Sequence, residues 1–96
     1  MQNKYYVYIM TNKSNDVLYV GVTNNISRRK WEHETHIKKG FSSKYKLEKC
    51  IYIEECNDVN DVIRREKQIK HWNRCKKFAL ISTKNPRLKE LLTFDN

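Results

Sequence analysis

No apolar run in this sequence approaches the roughly 20 residues that a helix needs to cross a bilayer, and no signal-peptide pattern precedes Lys4-Tyr5-Tyr6. Neither a membrane span nor secretion is expected, and the expected location is cytoplasmic. Cysteine is scarce and poorly arranged for structural chemistry. Cys50, Cys56 and Cys75 are an odd number with no C-x-x-C pair, which argues against a disulfide framework and a zinc site. Each reads as a small buried or half-buried thiol in a reducing compartment. No internal repeat, linker or low-complexity tract divides the chain, so residues 1–96 are expected to form one domain around one modest core. Acid is also short. Eleven Asp and Glu face twenty Lys and Arg, a formal net charge of +9 and a pI of about 9.6. In a small domain that excess most often meets nucleic acid, although an anionic membrane surface selects the same charge.

What is present begins with a hairpin. Tyr5 to Met10 is β-branched and aromatic, Thr11 to Asp16 is a polar, Asn-bearing turn, and Val17 to Val20 is a second short strand. With period two, Tyr6, Tyr8 and Met10 share one face of the first strand, and Val17, Tyr19 and Gly21 share one face of the second. Cross-strand aromatic packing accounts for most of these tyrosines. A buried phenol still needs a partner, so at least one is expected to face a polar site.

At Gly21 the backbone can turn with no side chain in the way, and Asn24 or Asn25 then offers a helix N-cap. The helix is expected to run from about Asn25 to Lys39, with Gly40 as its terminator. Ile26, Arg29, His33 and Ile37 fall at i, i+3, i+7 and i+11, on one face of a helix of about 3.6 residues per turn. A guanidinium and an imidazole thus interrupt a stripe anchored by two isoleucines. Either they sit at the core's rim and snorkel to water, or they point into a pocket that binds an anion, for which the planar fork of Arg is suited. Spacing alone does not choose.

Phe41 to Lys46 reads as a basic, serine-bearing loop in which Lys44 is a candidate phosphate contact, and an ordinary solvated loop fits equally well. Leu47 to Ile53 reads as a third strand, with Ile51 and Ile53 on one face and Cys50 and Tyr52 on the other. Three strands with a helix between the second and third give a small α/β sandwich. Asn57 to Asp61 opens a second helix reaching about Trp72. Val59, Val62, Ile63, Glu66, Ile69 and Asn73 lie along one side of it, which puts a carboxylate between Ile63 and Ile69. Such a charge needs a partner. An Arg of the first helix would serve, and so would a hard cation such as Mg²⁺. Asn73 is expected to cap a third helix with Phe78, Ala79 and Ile81 turned inward. Asn85-Pro86 resembles an N-cap followed by Pro at N1, opening a short segment with Leu88, Leu91 and Leu92.

Tyr6-Val7-Tyr8, ten intervening residues and then Tyr19-Val20-Gly21 resemble the paired signature of the GIY-YIG nuclease superfamily. Arg29 sits where the family's helix arginine sits, and His33 follows one turn later, as in some members. Arg65-Glu66-Lys67-Gln68-Ile69-Lys70 resembles the segment that bears the family's metal-binding glutamate. The likeness covers nearly the whole chain and is strongest to the small stand-alone bacterial members. Two positions depart from the pattern: Tyr6 replaces the first glycine of the name, and Val22 stands where some members have a lysine.

The resemblance implies a GIY-YIG-like α/β fold, a small three-stranded antiparallel sheet flanked by helices. It implies an endonuclease that hydrolyses DNA phosphodiesters at a single-metal site, with Mg²⁺ or Mn²⁺ on Glu66. Arg29 would act on the phosphate, and Tyr19 would help activate water, aided by Tyr8 and His33. A free tyrosine, with a pKa of about 10, is a poor base at neutral pH, so nearby positive charge would be needed. Arg65 and Lys70, with Lys44, are the expected nucleic-acid contacts, and Asn85 is the candidate for the family's late asparagine, a capping role being the equal alternative. The expected partner is DNA, with branched and single-stranded forms among the candidates. The runner-up is a module that keeps the fold and binds nucleic acid without cutting it.

Overall fold

A computed structural model describes residues 4–35 and 46–92, with the side chains of residues 30 and 32–35 excepted. Three strands, β1 (Tyr5–Thr11), β2 (Leu18–Thr23) and β3 (Lys49–Cys56), form one antiparallel sheet in the order β2-β1-β3. β1 and β2 make the expected hairpin. Its turn is tied by the Asn12 side chain, whose Oδ1 accepts from the backbone N–H groups of Asp16 (2.8 Å) and Val17 (3.3 Å). Asn15 supplies the left-handed residue with φ of 60°, a conformation Asn tolerates well.

β2 is longer than its apolar core suggests and runs on through Gly21 to Thr23. Gly21 is therefore a strand residue and not the site of the turn. Helix α1 (Ile26–Thr35) follows at once, and the cap is Asn25: its Oδ1 accepts from Arg28 N at 3.0 Å. The expected continuation to Lys39 and the terminator Gly40 lie outside the described residues. Helix α2 (Val59–His71) is capped by Asp58, whose carboxylate accepts from Asn60 N and Asp61 N. Helix α3 (Arg74–Ser82) is capped by Asn73, as its sequence suggests, through a 2.8 Å bond from Lys76 N.

The sheet divides the core in two. On one face Val7, Ile9, Val20, Ile51 and Tyr52 pack against Val62 and Ile69 of α2 and Ile81 of α3. On the other, Tyr8, Met10, Leu47 and Cys50 are buried, with Tyr19, Ile53, Ile26 of α1 and Leu92 beside them. Two local expectations fail. Strict alternation puts Ile51 with Ile53 and Cys50 with Tyr52, but a bulge shifts the register. Ile9 pairs with Tyr52 while the next residue, Met10, pairs with Cys50, leaving Ile51 as the extra residue. Ile51 and Tyr52 consequently share the α2 face, and Cys50 and Ile53 the α1 face. In α3, Ala79 is exposed and Leu80 takes its place against the core.

No helix opens at Asn85-Pro86 either. Asn85 is buried, and its side chain closes a loop on itself, donating to Lys89 O (2.8 Å) and accepting from Lys89 N (3.0 Å). Leu88 takes φ of 53°, which no helix permits. Residues 85–92 instead wrap the outer edge of β3, carrying Leu88 to one core and Leu92 to the other. Asn85 Nδ2 donates to Ile51 O (2.9 Å), Leu91 N donates to Cys50 O (2.9 Å), and Cys50 N donates to Glu90 Oε2 (2.9 Å). Among the described residues, no helix is long and apolar enough to cross a membrane.

Candidate active site

The pleat of β1 sends Tyr8 to the α1 side of the sheet, where it is fully buried. Opposite it on β2 stands Gly21, in direct register. A Cβ built on Gly21 would fall against the Tyr8 hydroxyl, 2.5 Å from the ring carbon that bears it and 2.9 Å from Cε1 of Tyr19. Glycine at this position is what lets the two phenol rings close over the strand. Their centroids are 6.2 Å apart at an interplanar angle of 41°, a tilted contact of the ordinary aromatic kind.

Arg29 enters from the first turn of α1, its N–H bonded to Asn25 O at 3.1 Å. The Asn25 cap thus fixes where the helix begins, and with it the direction of Arg29. Arg29 Nε donates to the Tyr8 phenol oxygen at 3.0 Å. Tyr19 lies within hydrogen-bonding reach of both Arg29 and Tyr8, so the three polar groups form one cluster. Burial pushes the Tyr8 phenol well above its usual range and outweighs the bond from Arg29, which acts the other way. The Arg29 guanidinium is held still more firmly in its charged form, first by its hydrogen bond to Tyr8. At neutral pH the pair is therefore a neutral phenol on a permanent cation. The polar partner that a buried tyrosine demands is thus Arg29, and the interruption in the Ile26 stripe faces that tyrosine. His33 falls one turn further along α1, and its side chain lies outside the described residues.

Glu66 belongs to α2, which packs on the opposite face of the sheet and across β2. It is mostly sheltered, with 18% of its side chain exposed, and its ion-pair partner is Lys70 Nζ at 2.9 Å, one turn along the same helix. Of the first helix's arginines, which could have paired with it, Arg29 is engaged by Tyr8 instead. Among the described residues no group of three or more His, Cys, Asp and Glu is placed to hold a metal ion. Glu66 offers one hard oxygen donor group. That suits a cation such as Mg²⁺, which keeps waters and takes further ligands from substrate phosphates, and it does not suit zinc.

With this geometry in view, comparison with known proteins is direct. The GIY-YIG catalytic domain matches residues 4–79. The chain belongs to the GIY-YIG family. The matched span takes in Tyr8, Tyr19, Gly21, Arg29, His33 and Glu66, and stops short of Asn85. A UPF0213 protein of Syntrophus aciditrophicus (strain SB) is 36% identical over 86 residues, which is 88% of this chain and 95% of the relative. A UPF0213 protein of Limosilactobacillus reuteri (strain DSM 20016) is 34% identical over 76 residues, 77% of this chain and 78% of the relative. Among solved structures, the solution NMR structure of a UPF0213 protein from Bacillus halodurans superposes with a TM-score of 0.56 at 25% identity, over 88% of each chain. The three-stranded antiparallel sheet with its flanking helices is thus the fold of a small GIY-YIG protein, and the family is one of nucleases.

The other residues singled out in this GIY-YIG chain are placed less centrally. Arg65 is turned into the fold: Nε donates to both oxygens of Glu54 (2.9 and 3.2 Å), Nη1 to Gln68 Oε1 (2.6 Å), and the guanidinium lies 5.3 Å from the centre of the Trp72 ring. Lys70 is exposed and held by Glu66. Lys44 lies outside the described residues. Asn85 serves as the main-chain staple already described, in place of either a helix cap or a member of the Tyr8 cluster. Sequence patterns missed Glu54, which accepts from Tyr52 (2.7 Å) as well as Arg65. Burial and this bond push the Tyr52 phenol up to about 12. Glu54 stands between Ile53 and Glu55, with no periodicity to mark it. Two places after Tyr52 on a strand was the only signal available.

Proposed function

We propose that this protein is a metal-dependent endonuclease that hydrolyses DNA phosphodiester bonds at the Tyr8–Tyr19–Arg29 cluster. The observation that carries the reading is the 3.0 Å bond from Arg29 Nε to a fully buried Tyr8, on a GIY-YIG fold. A backbone carbonyl would be enough to satisfy a buried phenol, whereas the partner here is a permanent cation brought in from the facing helix. Held at Nε, the guanidinium is oriented before any substrate arrives, as transition-state stabilisation requires. Its permanent charge suits the non-bridging oxygens of a phosphate on which negative charge develops.

Burial divides the work between the tyrosines. Tyr8, kept protonated, orients Arg29. Tyr19, the more exposed of the two, would act as its phenolate and take a proton from the attacking water, becoming the neutral phenol as the new bond to phosphorus forms and the bond to the leaving oxygen breaks. Bound at Glu66, a divalent ion would supply Lewis-acid polarisation of the phosphate and stabilise the leaving oxygen. The test is a panel of duplex, flapped, branched and single-stranded DNA, incubated with and without Mg²⁺, using wild type and Arg29→Ala. Cleavage that needs both the metal and Arg29 is expected. Binding without cleavage on every substrate would make the protein a non-catalytic module.

A further inference from the structure

We infer that a second surface, formed by α2, α3 and the segment leading to β3's edge, holds the DNA backbone while the Tyr8 cluster acts on it. The inference rests on the nuclease reading for the identity of the ligand, and on the following observations for the surface. Residues 64–89 contain ten of the twenty Lys and Arg and one of the eleven acids, so they carry a formal +9 and the remainder of the chain nets to zero. A charge excess that served only solubility would be spread over the surface. Here it is confined to α2, α3 and the segment that leads from them to the edge of β3.

Some of these cations have work inside the fold. Arg64 pairs with Asp61 (3.0 Å), Arg65 with Glu54, Lys70 with Glu66, and Arg74 grips the β1–β2 turn through the carbonyls of Asn15 and Asp16. Lys67, Lys76, Lys77, Lys84, Arg87 and Lys89 remain without an acidic partner among the described residues, and all but the half-buried Lys77 are exposed. Two of them are already positioned. Lys76 Nζ lies 4.4 Å from the centre of the Trp72 ring and Lys84 Nζ 5.2 Å from that of Tyr52. An ammonium held on an aromatic face loses less rotamer freedom when it meets a phosphate.

A polyanion with closely spaced charges is the ligand such a strip fits. A lipid surface fits less well, because an interfacial helix needs a broad apolar face to insert and α2 leaves only Val59 and Ile63 exposed, its Val62 and Ile69 being fully buried against the sheet. Lys67 and Lys76 stand on helices that pack against Val7 and Ile9, whereas Tyr8 and Arg29 belong to the other face, and Glu66, on the helix of Lys67, is paired with Lys70 and not with either of these lysines. Holding and cutting should therefore separate by mutation.

The experiment is anisotropy of a labelled DNA duplex over a range of salt, in chelator so that cleavage is off. It compares wild type with the triple variant Lys67→Gln, Lys76→Gln, Lys84→Gln, and with a charge-matched control, Lys4→Gln, Lys13→Gln, Lys49→Gln. Each phosphate contact contributes about 0.9 to the slope of log affinity against log salt, so the first triple should lower the slope by about 2.7 and the control by less than about 1. Each single substitution in the first set should lower it by about 0.9, which serves if the triple folds poorly. Equal effects of the two triples, or a salt-independent wild type, would overturn the assignment. Anionic vesicles form a parallel arm, and capture by vesicles with no DNA affinity would also overturn it. If the first triple weakens binding while wild type never cuts, the surface stands and the nuclease reading falls. If wild type cuts and the triple binds undiminished, the reverse holds.

Discussion

Replacing Gly21 by alanine tests the site's construction at its tightest point. The new methyl carbon would lie 2.5 Å from Tyr8 Cζ and 2.9 Å from Tyr19 Cε1, where ordinary contact begins at 3.4 Å. The Tyr8 ring carbon must therefore retreat by about 1 Å, yet Tyr8 is fully buried between Met10, Cys50 and Leu47 and has little room to do so. Overpacking of this kind costs about 1–3 kcal/mol. Against it, alanine narrows the unfolded ensemble and returns about 0.4–1 kcal/mol. The clash wins, with a net loss of about 1–2 kcal/mol, which for a domain of this size lowers the melting temperature by roughly 5–10 °C. Activity should suffer more. A 1 Å displacement of the phenol breaks the alignment with Arg29, and misplacement on that scale costs about 10²-fold in rate. Thermal melts followed by circular dichroism measure the first effect and DNA cleavage the second. Tyr8→Phe removes the closest atom, so the double variant should be more stable than the two single losses summed, a coupling that a double-mutant cycle reads directly. A Gly21→Ala protein that melts at or above wild type would refute the packing argument outright.

Arg29→Ala should cut turnover by roughly 10²–10³ with DNA affinity little changed, and Arg29→Lys should rescue poorly because an ammonium cannot present two parallel donors; full activity in the lysine variant would show that fork geometry is irrelevant. Glu66→Gln should abolish metal-dependent cleavage and leave the melt within about 1 kcal/mol of wild type, since its partner Lys70 is half exposed. An early-melting Glu66→Gln protein would mean the carboxylate holds the fold and not a metal. Asn85→Ala removes three hydrogen bonds, at about 0.5–1.5 kcal/mol each, and should lower stability by about 2–4 kcal/mol in denaturant titration, with activity lost only in step with folding. Tyr8 and Tyr52 both have phenols raised in the folded state, so each favours folding fully below the unfolded value near pH 10 and loses that contribution as pH climbs through the folded value, for Tyr52 between about 10 and 12. Phenolate absorbance should accordingly show these two tyrosines ionising late, together with unfolding.

The hairpin, the interrupted first helix and the second and third helices were all legible in the sequence, because each is written in periods that local chemistry enforces. Asn73 and Asp58 cap where a short polar side chain precedes an apolar repeat, and Tyr8 and Tyr19 share a face because the strand period is two. The strand limits were less legible. Gly21 reads as a break in any propensity argument, and only the opposing Tyr8 shows that it is a clearance within a continuing strand. The bulge at Ile51 is invisible to pattern, since Cys-Ile-Tyr-Ile is apolar throughout and offers no polar residue to betray a change of face. Asn85-Pro86 misleads for a related reason. The side chain that can cap a helix can equally bind a main chain three or four residues away, and the choice is made by the edge of β3, some thirty residues distant in sequence.

Two polar interruptions of apolar stripes marked the candidate site, and the structure treats them differently. Arg29 is satisfied across the sheet's own layer, by a phenol that the strand period had already placed on its side. Glu66 is satisfied along its own helix by Lys70, a pair that solvent weakens and that a cation with stronger claims on the carboxylate can displace. The first arrangement is rigid before substrate arrives, and the second can be opened by it. That asymmetry is what the proposed metal-dependent reaction would require. The group that stabilises charge on the phosphate must be oriented in advance, while the group that holds the metal must exchange a resting partner for one that arrives with its own waters and takes its remaining ligands from the substrate. The net charge follows the same division, since residues 64–89, which span most of α2 and all of α3, carry a formal +9, while Tyr8 and Arg29 belong to the other face of the sheet.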